Sequence, residues 1–115
     1  MVDPYVPDSG DLVWLDFDPQ AGREQAGRRP AVVLSPIYFN KKTSVAYACP
    51  ITSKVKGYRF QVLIPPGLPV HGAVLCEHLR SLDWRIRNAA FLGRMPEAVL
   101  AQVREVVRTI AGITT

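Results

Sequence analysis

The densest set of groups able to do chemistry on this chain lies in Glu24-Gln25-Ala26-Gly27-Arg28-Arg29-Pro30-Ala31-Val32-Val33-Leu34-Ser35. A carboxylate, an amide, a glycine and two adjacent arginines run directly into an apolar segment with the pattern of a buried strand. Pro30 biases Arg29 toward extended backbone, so the Arg29 guanidinium is expected to project from the strand entrance, a good mount for a group that meets phosphate. A second anion-friendly patch follows in Thr52, Ser53, Lys54 and Lys56, with two hydroxyl donors and two ammonium groups close together. If the strand that starts at Arg29 pairs with the one that ends near Thr52, both groups come to the same rim.

That pairing defines a chemistry. RNA carries its own nucleophile, the 2′-hydroxyl, so cleavage asks for proton transfer, in-line positioning and stabilisation of charge on phosphorus. Arg29, Thr52 and the carboxylate of Glu24 meet those needs without a metal or other cofactor, and DNA, lacking the 2′-hydroxyl, is not expected to be cut. Neither His71 nor His78 falls between Glu24 and Thr52 in sequence. A nuclease built on a histidine pair is therefore not expected. Arg29 suits stabilising negative charge or delivering a proton late, and a guanidinium that stays protonated is an awkward base; Glu24 is the better base on chemical grounds.

The elements that must hold these residues fit one domain. With 115 residues, about half hydrophobic, the chain supports a single core. Fourteen Lys and Arg against ten Asp and Glu give a charge of +4, a basic bias suited to a polyanion, and ten of those cations are arginine. The N-terminus lacks the charged and apolar regions of a signal peptide, and no segment reaches the length of a membrane span, so a cytoplasmic protein without a membrane partner is expected. Cys49 and Cys76 have no metal-ligand or CxxC spacing, and both read as reduced core residues.

Short strands are expected over residues 11–17, from Pro30 to about Ser35, and over 44–50, 60–64, 72–76 and 89–94, with residues 77–83 a further strand or a kinked continuation of the fifth, and Thr52 just beyond the third. Trp14 and Phe17 fall on opposite faces of the first strand, so that one can fill the core while the other remains partly exposed; Trp14 reads as core, and Phe17, which borders the loop, stays open between core and surface. Residues 18–28 read as a long polar loop of the kind that carries function. Residues 36–43 form a helical turn or an irregular connection, with Tyr38 and Phe39 facing inward and two lysines facing water. Residues 96–110 form the one convincing helix, with Pro96 at its first position, a stripe of Val99, Val103, Val106, Val107 and Ile110, and Gly112 as its stop. Many short strands before one terminal helix predict a mainly β fold, a small, strongly bent barrel with the helix on its side.

Several motifs in this order resemble one family. They are Tyr5-Val6-Pro7-Asp8, Gly10-Asp11-Leu12-Val13-Trp14, Asp16-Phe17-Asp18-Pro19, Glu24-Gln25-Ala26-Gly27, Arg29-Pro30-Ala31-Val32-Val33-Leu34-Ser35-Pro36, Lys56-Gly57-Tyr58, and residues 72–85. The chain resembles the MazF/PemK family of toxin endoribonucleases from bacterial toxin-antitoxin modules, over nearly its whole length. The resemblance implies an SH3-like β-barrel with a C-terminal α-helix, a homodimer, and cleavage of single-stranded RNA, mRNA included, at short motifs to leave 2′,3′-cyclic phosphate and 5′-hydroxyl ends. It implies that Arg29 is the catalytic arginine, Thr52 the catalytic hydroxyl and Glu24 a required carboxylate. Gln25, Asp16, Phe17, Asp18, Lys56, Glu77 and Arg80 fall where relatives contact RNA, joined by Arg28, Ser53 and Lys54 as neighbouring donors. Arg28 stands where some members have histidine, and Ser53 where they have threonine. The implied protein partner is an antitoxin whose flexible acidic segment lies across the basic groove. Two alternatives remain at this point: a gyrase-binding toxin of the same fold that cuts nothing, and a non-catalytic RNA-binding barrel.

Overall fold

The structure, a computed structural model, describes residues 4–17, 27–57 and 59–112. Its elements are β1 (Asp11–Asp16), β2 (Arg28–Val33), α1 (Ile37–Thr43), β3 (Val45–Thr52), β4 (Gln61–Leu63), β5 (Ala73–Leu75), a 3₁₀ turn (Cys76–His78), β6 (Arg80–Asp83), β7 (Ala90–Arg94) and α2 (Glu97–Ala111). The seven strands form one antiparallel sheet in the order β4-β5-β3-β2-β1-β7, with β6 pairing the first half of β3. Arg80, on β6, stacks its guanidinium 5.5 Å from the Phe17 ring just past β1, although β6 and β1 are not neighbours in the sheet. The sheet is therefore strongly curled, the bent barrel with a terminal helix that the strand pattern predicts. Among the described residues, no helix is long and apolar enough to cross a membrane.

Both faces of the central strands are buried. Leu12, Val32, Cys49, Ile51 and Val74 pack with Leu100 and Val103 of α2 in one cluster, while Val13, Leu15, Phe17, Ala31, Val33, Ala48 and Leu82 form the other. Period-two alternation sends successive residues of β2 to the two clusters, so a one-residue slip would exchange every side chain between them. Full burial of Leu100 and Val103 contributes about 1.5–3 kcal/mol apiece. Leu100 takes a place in the helix stripe that the sequence pattern gave to Ile110, which stands exposed near the C-terminal end of α2, beyond the core cluster. Pro96 sits at the cap position and not inside the helix, and Gly112 ends it in the left-handed region at φ 76°. Cys49 and Cys76 are buried free thiols in the α2-facing cluster, and burial pushes them up to about 12 and about 11.

Two aromatic expectations are corrected. Phe17 is buried, whereas Trp14 is 37% exposed. Trp14 pairs with Pro30 two residues beyond the Leu12 and Val32 pair, where the core cluster gives way to an open cavity. Tyr38 does not pack inward but is among the most exposed side chains, and Phe39 is half-buried against Tyr47. The residue of α1 that turns inward is Asn40, and Tyr38 lies two positions away, roughly 200° around the helix.

Asn40 is fully buried and ties three segments together. Its amide donates to Pro7 O at 2.8 Å and Ser35 O at 2.9 Å, its side-chain oxygen accepts from the Ser35 hydroxyl, and its backbone carbonyl accepts from Trp84 Nε1 at 2.9 Å. The α1 N-terminus has no cap of its own, and Asp8 supplies one from the lead-in segment by accepting from Ile37 N at 2.9 Å. At the far end of β1, Asp16 is paired in register with Arg28, whose Nη1 donates to it at 2.9 Å; Asn88 Nδ2 donates to its other oxygen at 2.8 Å. The hydrogen bonds from Asn88 and then Arg28 hold the Asp16 carboxyl below its usual range.

Asn40→Ala leaves the Pro7 and Ser35 carbonyls without their donor, and urea unfolding should show a loss on the order of 2 kcal/mol with an unchanged slope. Because the folded state lowers the Asp16 pKa, its stabilisation is present at neutral pH and lost as the pH falls through and below about 4. Asp16→Asn should therefore unfold with a shallower acid dependence than the wild type in midpoint measurements across that range.

Candidate active site

The β2–β3 register runs Ala31 to Pro50, Val32 to Cys49 and Val33 to Ala48. Two further steps in the same register set Arg29 opposite Thr52, on the same face of the sheet. Both line a single cavity of about 590 Å³ together with Trp14, Pro30, Ile51, Ser53, Lys54, Pro69, Val70 and His71. Thr52 is the last residue of β3, not a residue beyond it, and its position is fixed by pairing with Ala73 of β5. Its hydroxyl oxygen accepts from Lys54 N at 3.1 Å, which leaves the hydroxyl proton free to donate into the cavity.

The adjacent arginines part company because strand alternation sends them to opposite faces. Arg28 is held by Asp16 and by Asn88 O at 3.0 Å, while Arg29 is exposed at the cavity. Arg29 and Lys54 make the cavity cationic, and Thr52 and Ser53 add hydroxyl donors, a lining matched to a phosphodiester. Trp14 offers an exposed aromatic surface on the same wall, suited to stacking a base.

Of the other residues singled out from the sequence, Asp16, Phe17, Arg28 and Arg80 gather in a second group. Arg80 Nη1 donates to Phe17 O at 3.5 Å, and Arg87 Nη1 donates to Phe17 O at 2.6 Å and Asp16 O at 3.0 Å. Lys56 is exposed on the loop after β3, where its backbone N donates to Gln61 Oε1 at 2.9 Å; Glu77 is exposed on the 3₁₀ turn. Neither lines the cavity. Glu24, Gln25 and Asp18 lie outside the described residues.

Trp14 and His71 are cavity residues that the sequence argument assigned no role. Trp14 read as a core aromatic, and the signal that places it at the cavity is its cross-strand pairing with Pro30 beside Arg29. His71 is distant from Thr52 in sequence but precedes Gly72, whose backbone lies directly on the end of β3. A Cβ on Gly72 would come within 1.9 Å of Thr52 O, and its φ of +114° is a conformation other residues rarely adopt. That close approach draws His71 to the rim.

Comparison with known proteins places the chain in a family. Residues 8–111 match the family model for the PemK-like, MazF-like toxin of type II toxin-antitoxin systems. The chain is 43% identical to the endoribonuclease toxin MazF of Escherichia coli over 112 residues, covering 97% of this chain and all of that protein. A crystal structure of MazE-MazF from Deinococcus radiodurans superposes with a TM-score of 0.87 at 49% identity, covering 96% of this chain and all of that one. Its MazF alone, from the same organism, gives 0.87 at 55% identity over 95% and 99% of the two chains. The chain belongs to the PemK-like, MazF-like toxin family of type II toxin-antitoxin systems.

Proposed function

We propose that this chain is a metal-independent toxin endoribonuclease that cuts single-stranded RNA at short motifs, mRNA included, and restrains translation and growth until an antitoxin neutralises it. The observation that carries the reading is the junction of Arg29 and Thr52 in one cavity through the β2–β3 register. A scissile phosphodiester seated there receives the guanidinium fork of Arg29 and the hydroxyl of Thr52 on its non-bridging oxygens, where negative charge grows as the 2′-oxygen attacks phosphorus. The 2′-oxygen displaces the 5′-oxygen, leaving a 2′,3′-cyclic phosphate and a 5′-hydroxyl. Glu24 is assigned the 2′-hydroxyl proton on chemical grounds, as the carboxylate next to the arginine pair in sequence.

Ser53, Lys54 and Lys56 extend the cationic and hydroxyl surface along the RNA backbone, and Trp14 stacks a base. Asp16, Phe17, Asp18, Gln25, Arg28, Glu77 and Arg80 are assigned to RNA contact by family resemblance. A homodimer, assigned by family resemblance, and an antitoxin with an acidic extended segment over the cavity complete the assignment; the antitoxin is supported by the MazE-MazF neighbours and by the cationic cavity. The endoribonuclease names of the relatives favour cleavage over a gyrase-binding role for the same fold.

Incubating the protein in EDTA with a mixed-sequence RNA and its all-deoxy counterpart tests this directly. The expected result is discrete cuts in the RNA alone, with cyclic-phosphate ends, falling by roughly 10²-fold or more in Arg29→Ala and Thr52→Ala. RNA left intact by the wild-type protein would exclude the assignment.

A further inference from the structure

Cleavage by 2′-hydroxyl attack has a step that the sequence reading left open to Arg29 and that an imidazolium performs more readily: protonation of the departing 5′-oxygen. An alkoxide is a poor leaving group, and a guanidinium gives up its proton reluctantly. Among the described residues that line the cavity, His71 is the one histidine, the side-chain type suited to giving and taking a proton near neutrality. We propose that His71 is the general acid of RNA cleavage, giving its proton to the 5′-oxygen as that oxygen leaves phosphorus.

The chain positions this histidine closely. It lies on the connection between β4 and β5, and that connection is pinned on both sides of it. Val70 is buried in the core cluster that includes Leu100 and Val103. Pro69 packs against β7, where a Cβ on Gly93 would meet Pro69 Cγ at 3.1 Å. On the other side, Gly72 O accepts from Ile64 N at 2.9 Å while the Gly72 backbone rests on Thr52 and Ser53. An exposed side chain is thus mounted on a fixed stretch of backbone beside the residue proposed to hold the phosphate. The other histidine, His78, is on the 3₁₀ turn and does not line the cavity.

The step balances. The 2′-oxygen forms its bond to phosphorus and loses its proton to the base, the bond from phosphorus to the 5′-oxygen breaks, and the imidazolium of His71 gives one proton to that oxygen and ends neutral. Among the described residues, the charged groups that share the cavity with His71 are Arg29 and Lys54, both cationic. A phosphodiester seated between them brings the negative charge that these cations meet.

This assignment rests on the endoribonuclease reading, and one pair of substrates separates the two. An RNA with a single cleavage site is compared with the same RNA carrying sulfur in place of the bridging 5′-oxygen, because a thiolate leaves without a proton. His71→Ala should cleave the oxygen substrate roughly 10²-fold or more slowly than wild type, and the sulfur substrate at the wild-type rate. Retained cleavage of the sulfur substrate also establishes that the variant is folded. Equal impairment on both substrates, or wild-type cleavage of the oxygen substrate, overturns the general-acid role while leaving the endoribonuclease reading intact. A wild-type protein that cleaves neither substrate overturns both.

Discussion

The antiparallel pairing of β2 with β3 is the constraint on which the rest of the molecule depends. Arg29 enters the sheet at the start of one strand and Thr52 leaves it at the end of the other, and the register between the two strands leads both to one cavity. The register is enforced from both sides, since β2 sends Val32 to the α2-facing cluster and Ala31 and Val33 to the opposite one. Packing that looks purely structural is therefore what fixes the spacing between a guanidinium and a hydroxyl.

The surrounding elements hold the cavity walls around that pair. β5 locks Thr52 through Ala73, and Gly72 lets the β4–β5 connection lie flush against the end of β3, bringing His71 to the rim. Trp14 reaches the same wall from β1 because it pairs with Pro30, next to Arg29. Arg28 points to the other face and secures the β1–β2 end through Asp16, so a single Arg-Arg step serves both stability and chemistry. Asp8, Asp11 and Asn40 tie the N-terminal lead-in to the body: Asp8 caps α1, Asp11 accepts from the Tyr5 hydroxyl and Arg94, and Asn40 holds Pro7 O.

Much of this was legible in the sequence where local chemistry and packing agree. The strand after Pro30 read as buried because it is apolar on both faces. The rim shared by Arg29 and Thr52 followed from pairing consecutive strands, and the terminal helix followed from its valine spacing. The errors fall where tertiary placement decides. Nothing local distinguishes Trp14 at a cavity from Trp14 in a core, since its exposure depends on where the covering cluster stops. Tyr38 looked apolar enough to bury, yet the inward position of α1 belongs to Asn40, whose amide answers carbonyls on Pro7 and Ser35. His71 stood far from the reactive stretch along the chain, and its approach is created by a backbone contact that a glycine permits.

The central claim is that Arg29 and Thr52 act on one phosphate, and a double-mutant cycle on the cleavage rate tests it most directly. Rates are measured for the wild type, Arg29→Ala, Thr52→Ala and the double variant on one RNA substrate. Action on a shared phosphate predicts strong coupling, with the second substitution costing far less once the first is made and an interaction energy on the order of 1 kcal/mol or more. Costs that simply add would contradict it, placing the two residues at independent points along the RNA.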